Sequence, residues 1–272
     1  MALFRSIREA IVTSEPPTME VSHGGETYRV QLRKMRGAQR FTLRVRNATA
    51  DVVLTMPYRG SVTAAARFAQ SHAAWIGARL KRLPPAVPFE HGSIIPLRGF
   101  PHQIVHRPER RGTVWIEEGG DSSPDDLTSM LCVAGEAPYV ARRIEDHLKA
   151  AARADLQAAV AKYGATLALR PRSLTLRDPV SRWGSCSSSG ALSFSWRLIL
   201  APTYVLDYLA AHEVAHLAHM NHSPKFWAVV HRLNADVDRA EAWLNAHGSK
   251  LHRYGKTGIP ASGQDEDVLS DG

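Results

Sequence analysis

Residues 203–220, TYVLDYLAAHEVAHLAHM, read as a helix that is apolar on nearly every side. Val205, Leu206, Leu209 and Ala210 lead into two histidines and a glutamate. A helix apolar all round belongs in a core. A carboxylate buried there beside imidazoles is costly unless something pairs with it. The rest of the chain must therefore enclose this helix and supply a partner for its polar groups.

The remaining pattern is strand-rich first and helix-rich later. Alternation in 28–33 (YRVQLR) and 40–46 (RFTLRVR), with Gly37 between, predicts a hairpin. A strand at 51–57 follows, then one helix over 62–82 stopped by Pro84, Pro85 and Pro88. Short strands are expected within 93–118, a loop at 119–126 and a strand at 127–133. A long helix over 138–163 carries Val140, Ile144, Leu148, Leu156 and Val160 on one stripe, with Gly164 at its end. Strands at 173–177 and 191–200 precede helices near 203–220, 224–233 and 236–247, the last ended by Gly248. No sequence repeat is visible. The order is α+β rather than alternating β-α-β. The layout expected is a flexible segment 1–22, a strand-rich region 23–134 with one helix, a second domain 135–254, and a disordered acidic tail 255–272.

No apolar run approaches the ~20 residues of a membrane-spanning helix, so no membrane partner is expected. Arg5, Arg8 and Glu9 interrupt the apolar start and argue against a secretory signal. Cys132 and Cys186 form no metal-ligand spacing, which fits a reducing cytoplasm. The net charge is +8. Arg29, Arg33, Lys34, Arg36, Arg40, Arg44 and Arg46 fall in 28–46 with no acid among them. Such a stretch is either a solvated hairpin or a surface that contacts the phosphates of nucleotides or nucleic acid.

His212-Glu213-x-x-His216 places two imidazoles one turn apart on one helical face, where both can reach a single ion. Without a cysteine pair, zinc is the expected cofactor, held by nitrogen or carboxylate ligands. Glu213 is rotated away from His212 and can act as a general base on activated water without being a ligand. With 13 histidines in the chain, a chance match has to be weighed. The apolar context and the bend that follows outweigh it. Asn221 can end the helix in the left-handed conformation, and Ser223 with Pro224 can start the next. That bend would swing His222 back to the ion. His231 and Glu241 compete as third ligand, and His219 suits a supporting position. Upstream, Arg182-Trp183-Gly184-Ser185-Cys186 reads as a turn before a strand whose edge could hold an extended peptide. Arg182 and Arg197 are candidates for binding substrate charge, or Arg197 pairs with an acid.

These residues, together with Trp196-Arg197-Leu198, Asp207-Tyr208, His216-Leu217, and Asn221-His222-Ser223 with Phe226-Trp227, resemble the YgjP-like metal-dependent hydrolases, relatives of SprT-type zinc peptidases. The resemblance covers roughly 25–254. It implies a zincin-like metallopeptidase domain with a small antiparallel sheet and an HExxH helix. It also implies zinc ligands at His212, His216 and His222, with Glu213 as catalytic base. His219 stands where metzincins have glycine, so that neighbouring group is not indicated. A pyrophosphatase activity on nucleotides has been proposed for a member of the family.

Three readings follow. One is a zinc peptidase acting on peptide or protein. Another is a metal-dependent nucleoside triphosphate pyrophosphatase, although no glycine-rich phosphate loop supports it. The third is a nucleic-acid-associated protein recruited through its basic surface.

Overall fold

The computed structural model describes residues 17–118 and 129–256. The loop expected at 119–126, residues 1–16 of the flexible segment, and residues 257–272 of the acidic tail lie outside the described residues.

Gly24 and Gly25 both take positive φ, 60° and 82°. A two-residue turn of that hand matches strand twist and closes a hairpin. It pairs β1 (Thr18–His23) antiparallel to β2 (Glu26–Met35). β1 thus begins inside the stretch expected to be flexible. β3 (Thr42–Val45) does not pair with β2 as the alternation predicted. It pairs antiparallel with β4 (Val52–Pro57), which lies parallel to β2, so the order is β1-β2-β4-β3. The expected single helix over 62–82 is two, α1 (Val62–Ser71) and α2 (Ala73–Lys81), broken at His72. Ser71 Oγ and His72 Nδ1 each lie 2.9 Å from the Phe68 carbonyl, competing for an acceptor of the helical ladder. Val30, Leu54, Met56, Ala65, Ala69 and Ile76 form the core of this unit.

The next four strands repeat that pairing. β5 (Ile94–Leu97) and β6 (Phe100–His106) form a hairpin through Arg98 and Gly99, at φ 53° and 85°. β7 (Val114–Glu117) pairs antiparallel with β8 (Ser129–Val133), which runs parallel to β6, giving β5-β6-β8-β7. The sequence shows no repeat because only the hydrogen-bonding order is shared.

α3 (Val140–Leu167) buries the predicted stripe. It runs past Gly164 and ends at Ala168, in the left-handed region at φ 54°. Gly164 serves close approach instead, since a Cβ there would sit 2.7 Å from the Leu169 carbonyl. The third sheet contains β9 (Ser173–Arg177), β10 (Gly184–Cys186) and β11 (Ala191–Ser195), in the order β10-β11-β9. It is mixed rather than antiparallel. β10 and β11 form a hairpin, but 178–183 return the chain so that β11 runs parallel to β9. Residues 196–200, expected to extend the strand, wind into a 3₁₀ turn headed by Ser195. α4 (Thr203–Ala215), α5 (Pro224–Leu233) and α6 (Val237–Leu251) follow. Gly248 lies inside α6, where a Cβ would come within 3.1 Å of the Trp183 ring.

The chain divides into two compact units at Leu83 and Pro84, ahead of the 134/135 boundary drawn from sequence. The physical reason is packing. Ile95, Leu97, Ile104, Leu131 and Val133 share one core with α3 and α4. No described helix is long and apolar enough to cross a membrane. The architecture is a mixed α and β fold with several small sheets and six α-helices among the described residues.

Candidate metal centre

α4 is buried along almost its whole length, and its start is braced. Arg98 N donates to the Ile199 carbonyl at 2.7 Å, and Gly99 comes so close that a Cβ would meet Pro202 Cα at 2.9 Å. Asp207 fixes the solvent side of α4. It accepts from the Tyr163 hydroxyl, and from Asn234 Nδ2 at 3.0 Å. These contacts make α4 a rigid support for what it carries at its end.

His212 and Glu213 lie in the last turn of α4, and His216 is the residue that caps it. The chain then tightens. Leu217 N and Ala218 N donate to carbonyls three residues back, each at 3.0 Å. Asn221 does not take the left-handed conformation expected for it; among the described non-glycine residues only Ala50, Arg98 and Ala168 do. Ser223 stands at the N-cap of α5 without a side-chain cap bond, followed by Pro224 in the first turn. The result brings His222 back. Ligand-type nitrogens of His212, His216 and His222 lie within 4.8 Å of one another, and Nε2 of His212 is 3.2 Å from Nε2 of His222. Phe226, fully buried, stacks on His216 with centroids 4.4 Å apart and touches the other two rings edge-on.

The outer nitrogens of the first two rings are spoken for. His216 Nδ1 is 3.1 Å from the His219 carbonyl. His212 Nδ1 is 3.3 Å from the Tyr208 hydroxyl, whose own proton goes to Glu241 Oε1 at 2.6 Å. Each ring therefore donates from Nδ1 and keeps the Nε2 lone pair for the cluster, the tautomer that outer hydrogen bonds enforce on metal-ligating histidines. Burial and the two neighbouring imidazoles push His212 down to about 4. Burial also lowers His216. Both rings are neutral near pH 7, as ligation requires.

Glu213 is 4% exposed, and its Oε2 is buried without a hydrogen-bond partner. Burial lifts its carboxyl to about 7 against the opposing charge of Arg182. It packs so tightly on β10 that a Cβ at Gly184 would stand 2.4 Å from Oε1. Gly184, Ser185, Cys186, Glu213, Met220 and the three histidines line one cleft of about 270 Å³. Burial and the charge of Glu213 raise the Cys186 thiol, which keeps it protonated. Three converging imidazoles and an orphaned buried carboxyl oxygen are a donor set that fits a divalent cation.

The other sequence candidates stand elsewhere. Arg197 is 3% exposed and does not reach the cleft. Its Nε and Nη2 bond Asp178 at 2.6 and 2.9 Å, and Nη1 bonds the carbonyls of Leu251 and Tyr254. This corrects its assignment to substrate binding. It ties β11 and the following turn to the end of α6. Arg182 is exposed. His231 is exposed on α5 and lies outside the three-histidine cluster. Glu241 accepts from the Tyr208 hydroxyl and lies outside the three-histidine cluster. Gly184 carried a readable signal, a glycine between a tryptophan and a strand. Pairing it with Glu213 needed the fold.

A family model described as YgjP-like, metallopeptidase domain, matches residues 39–247. No curated protein and no solved structure matches the chain. The matched span is well over half of the 272 residues and contains every residue of the three-histidine cluster and its glutamate. The chain belongs to the YgjP-like family of metallopeptidase domains.

Proposed function

We propose that the chain is a zinc-dependent peptidase with a zincin-like centre, in which His212, His216 and His222 hold the ion and Glu213 is the general base. The observation that carries this reading is the approach of the ring nitrogens beside the unpartnered Glu213 oxygen. Two ligands of a tetrahedral zinc at ~2.0–2.1 Å stand about 3.3 Å apart, and His212 Nε2 and His222 Nε2 are 3.2 Å apart.

Zinc, when bound, supplies Lewis acidity to a water molecule and to the substrate carbonyl. Glu213 takes the proton of that water as its oxygen bonds to the carbonyl carbon. It then delivers the proton to the amine as the C–N bond breaks. A carboxyl lifted by burial towards neutral pH suits both transfers. β10 supports a peptide as substrate. Among the described strands it is an edge, paired with β11 alone, and its residues form a wall of the cleft, so its outer edge can pair with an extended chain. The nucleotide reading is weaker, because Arg197 is committed to Asp178. Both described cysteines are free, which supports a reducing, cytoplasmic setting.

The test is Glu213→Gln with metal content and turnover measured together, on casein-derived peptides and nucleoside triphosphates in parallel. The expected result is full metal occupancy with peptide turnover lowered at least ~10²-fold. Unchanged turnover, or hydrolysis of triphosphates alone, overturns the proposal.

A further inference from the structure

Positive charge is unevenly divided between the two units. Residues 1–83 hold 14 Lys and Arg against 5 Asp and Glu; residues 84–272 hold 20 against 21. The first unit therefore carries the whole excess and the second is close to neutral.

Strand alternation decides where part of that charge stands. Val30, Leu32, Leu54 and Met56 face the core beneath α1 and α2. The residues between them point the other way. Register aligns Gln31, Val53 and Arg44 in one row and Arg33, Thr55 and Thr42 in the next. Arg33, Arg44 and Arg46 are exposed and, among the described residues, form no ion pair. Of the acids nearby, Glu26 bonds Tyr28 and Lys81 and Asp51 accepts from Thr49, while Glu20 stands opposite Arg29 on this face. Where β2 and β4 end, the Arg36 guanidinium lies 5.4 Å from the ring centroid of Tyr58, which is 55% exposed.

We propose that this arginine-bearing sheet face, with Tyr58 at its end, binds single-stranded nucleic acid through the phosphate backbone. Guanidinium forks match phosphate oxygens two at a time, and an exposed phenol gives a base a surface on which to stack. The arginine rows are interleaved with Gln31, Thr42 and Thr55, which offer hydrogen bonds to sugar and phosphate; Met35, exposed beyond Arg33, is one apolar side chain and not the extended apolar face that a bilayer takes. Binding of this kind is independent of sequence and depends steeply on salt. It stands apart from the peptidase reading and is expected to survive Glu213→Gln.

The experiment is fluorescence anisotropy of a labelled single-stranded oligonucleotide with the full chain across a salt series. Binding at low salt is expected, with log K falling linearly in log salt. Replacing Arg33 and Arg44 together by alanine lowers the slope by about 1.4, and replacing both by lysine restores it. Tyr58→Ala weakens binding about 5- to 150-fold. Arg142→Ala, an exposed change on α3 in the second unit, leaves both readings unmoved. Circular dichroism melting checks that the variants are folded. No binding at low salt overturns the proposal. So does an unchanged slope in the folded double alanine variant, or capture by phosphatidylserine vesicles without oligonucleotide binding.

Discussion

Tyr208 gives its phenolic proton to Glu241 across 2.6 Å, which leaves its oxygen to receive the Nδ1 proton of His212 at 3.3 Å. One buried hydroxyl thereby sets both the tautomer and the orientation of a cluster histidine from a residue on α6. Tyr208→Phe keeps the ring and removes the relay. Metal affinity should fall about 10- to 100-fold, the usual cost of losing such an outer contact. Competition with a chromophoric chelator measures it. Affinity unchanged within twofold would show that the relay does not orient His212.

Gly184 and Glu213 occupy space that a methyl group cannot share. Gly184→Ala should displace the carboxyl while leaving the three histidines in place. Peptide turnover is then expected to drop about 10²-fold or more, with metal content near that of the parent. Full activity in the alanine variant would mean that the carboxyl can move without consequence.

Arg197 should matter for stability and not for substrate. Breaking a buried ion pair costs about 3–5 kcal/mol, here towards the lower figure because the Asp178 side chain is 40% exposed. Arg197→Ala is therefore expected to lower the urea midpoint clearly, with KM unchanged in the fraction that remains folded. A raised KM at unaltered stability would return Arg197 to the substrate.

Acid should loosen the same region. Burial and the charge of Arg197 push His252, stacked on Trp183, below its ordinary 6.5. The unfolded chain then binds the proton first, so the stability from His252 is fully present above about 6.5 and is lost as pH falls below it. Burial pushes the Asp178 carboxyl up, but the bonds and charge of Arg197 outweigh this and leave it below 3.8. Its contribution persists to lower pH and is lost only as pH falls beneath that value. Urea midpoints at pH 8, 6 and 4 should descend, and His252→Gln should flatten the upper part of the descent. Midpoints that rise from pH 8 to pH 6 would contradict the sign.

Removing metal should destabilise the second unit. A ligand that binds only the folded chain adds about 2.7 kcal/mol at a free concentration one hundred times its Kd. Dialysis against a chelator is expected to lower the unfolding midpoint, and stoichiometric zinc to restore it. An identical midpoint in both states would argue that no ion links α4 to the residues beyond it.

Much of the second unit was legible because its signals are local. The α3 stripe, the limits of β9 and the start of α5 at Pro224 all follow from periodicity and proline placement. The three histidines were legible too, through spacing and resemblance. What sequence missed was non-local. The alternation of 28–33 and 40–46 marked two strands correctly but could not reveal that β4 inserts between them. The turn at Gly24-Gly25 was a readable hairpin signal whose first strand was passed over as a tail. Gly164 and Gly248 look like helix ends and instead admit Leu169 and Trp183. Arg197 looked available because its partner, Asp178, lies 19 residues upstream on a different element.

Only five residues separate His216, at the end of a braced helix, from His222. Ring-closure entropy grows with the logarithm of loop length, so an ion bridging these two side chains closes a very short circuit and gives up little chain freedom in doing so. The slack in the centre is confined to that link. Lengthening it by a few glycines would lower the affinity through entropy alone, with every donor atom still present.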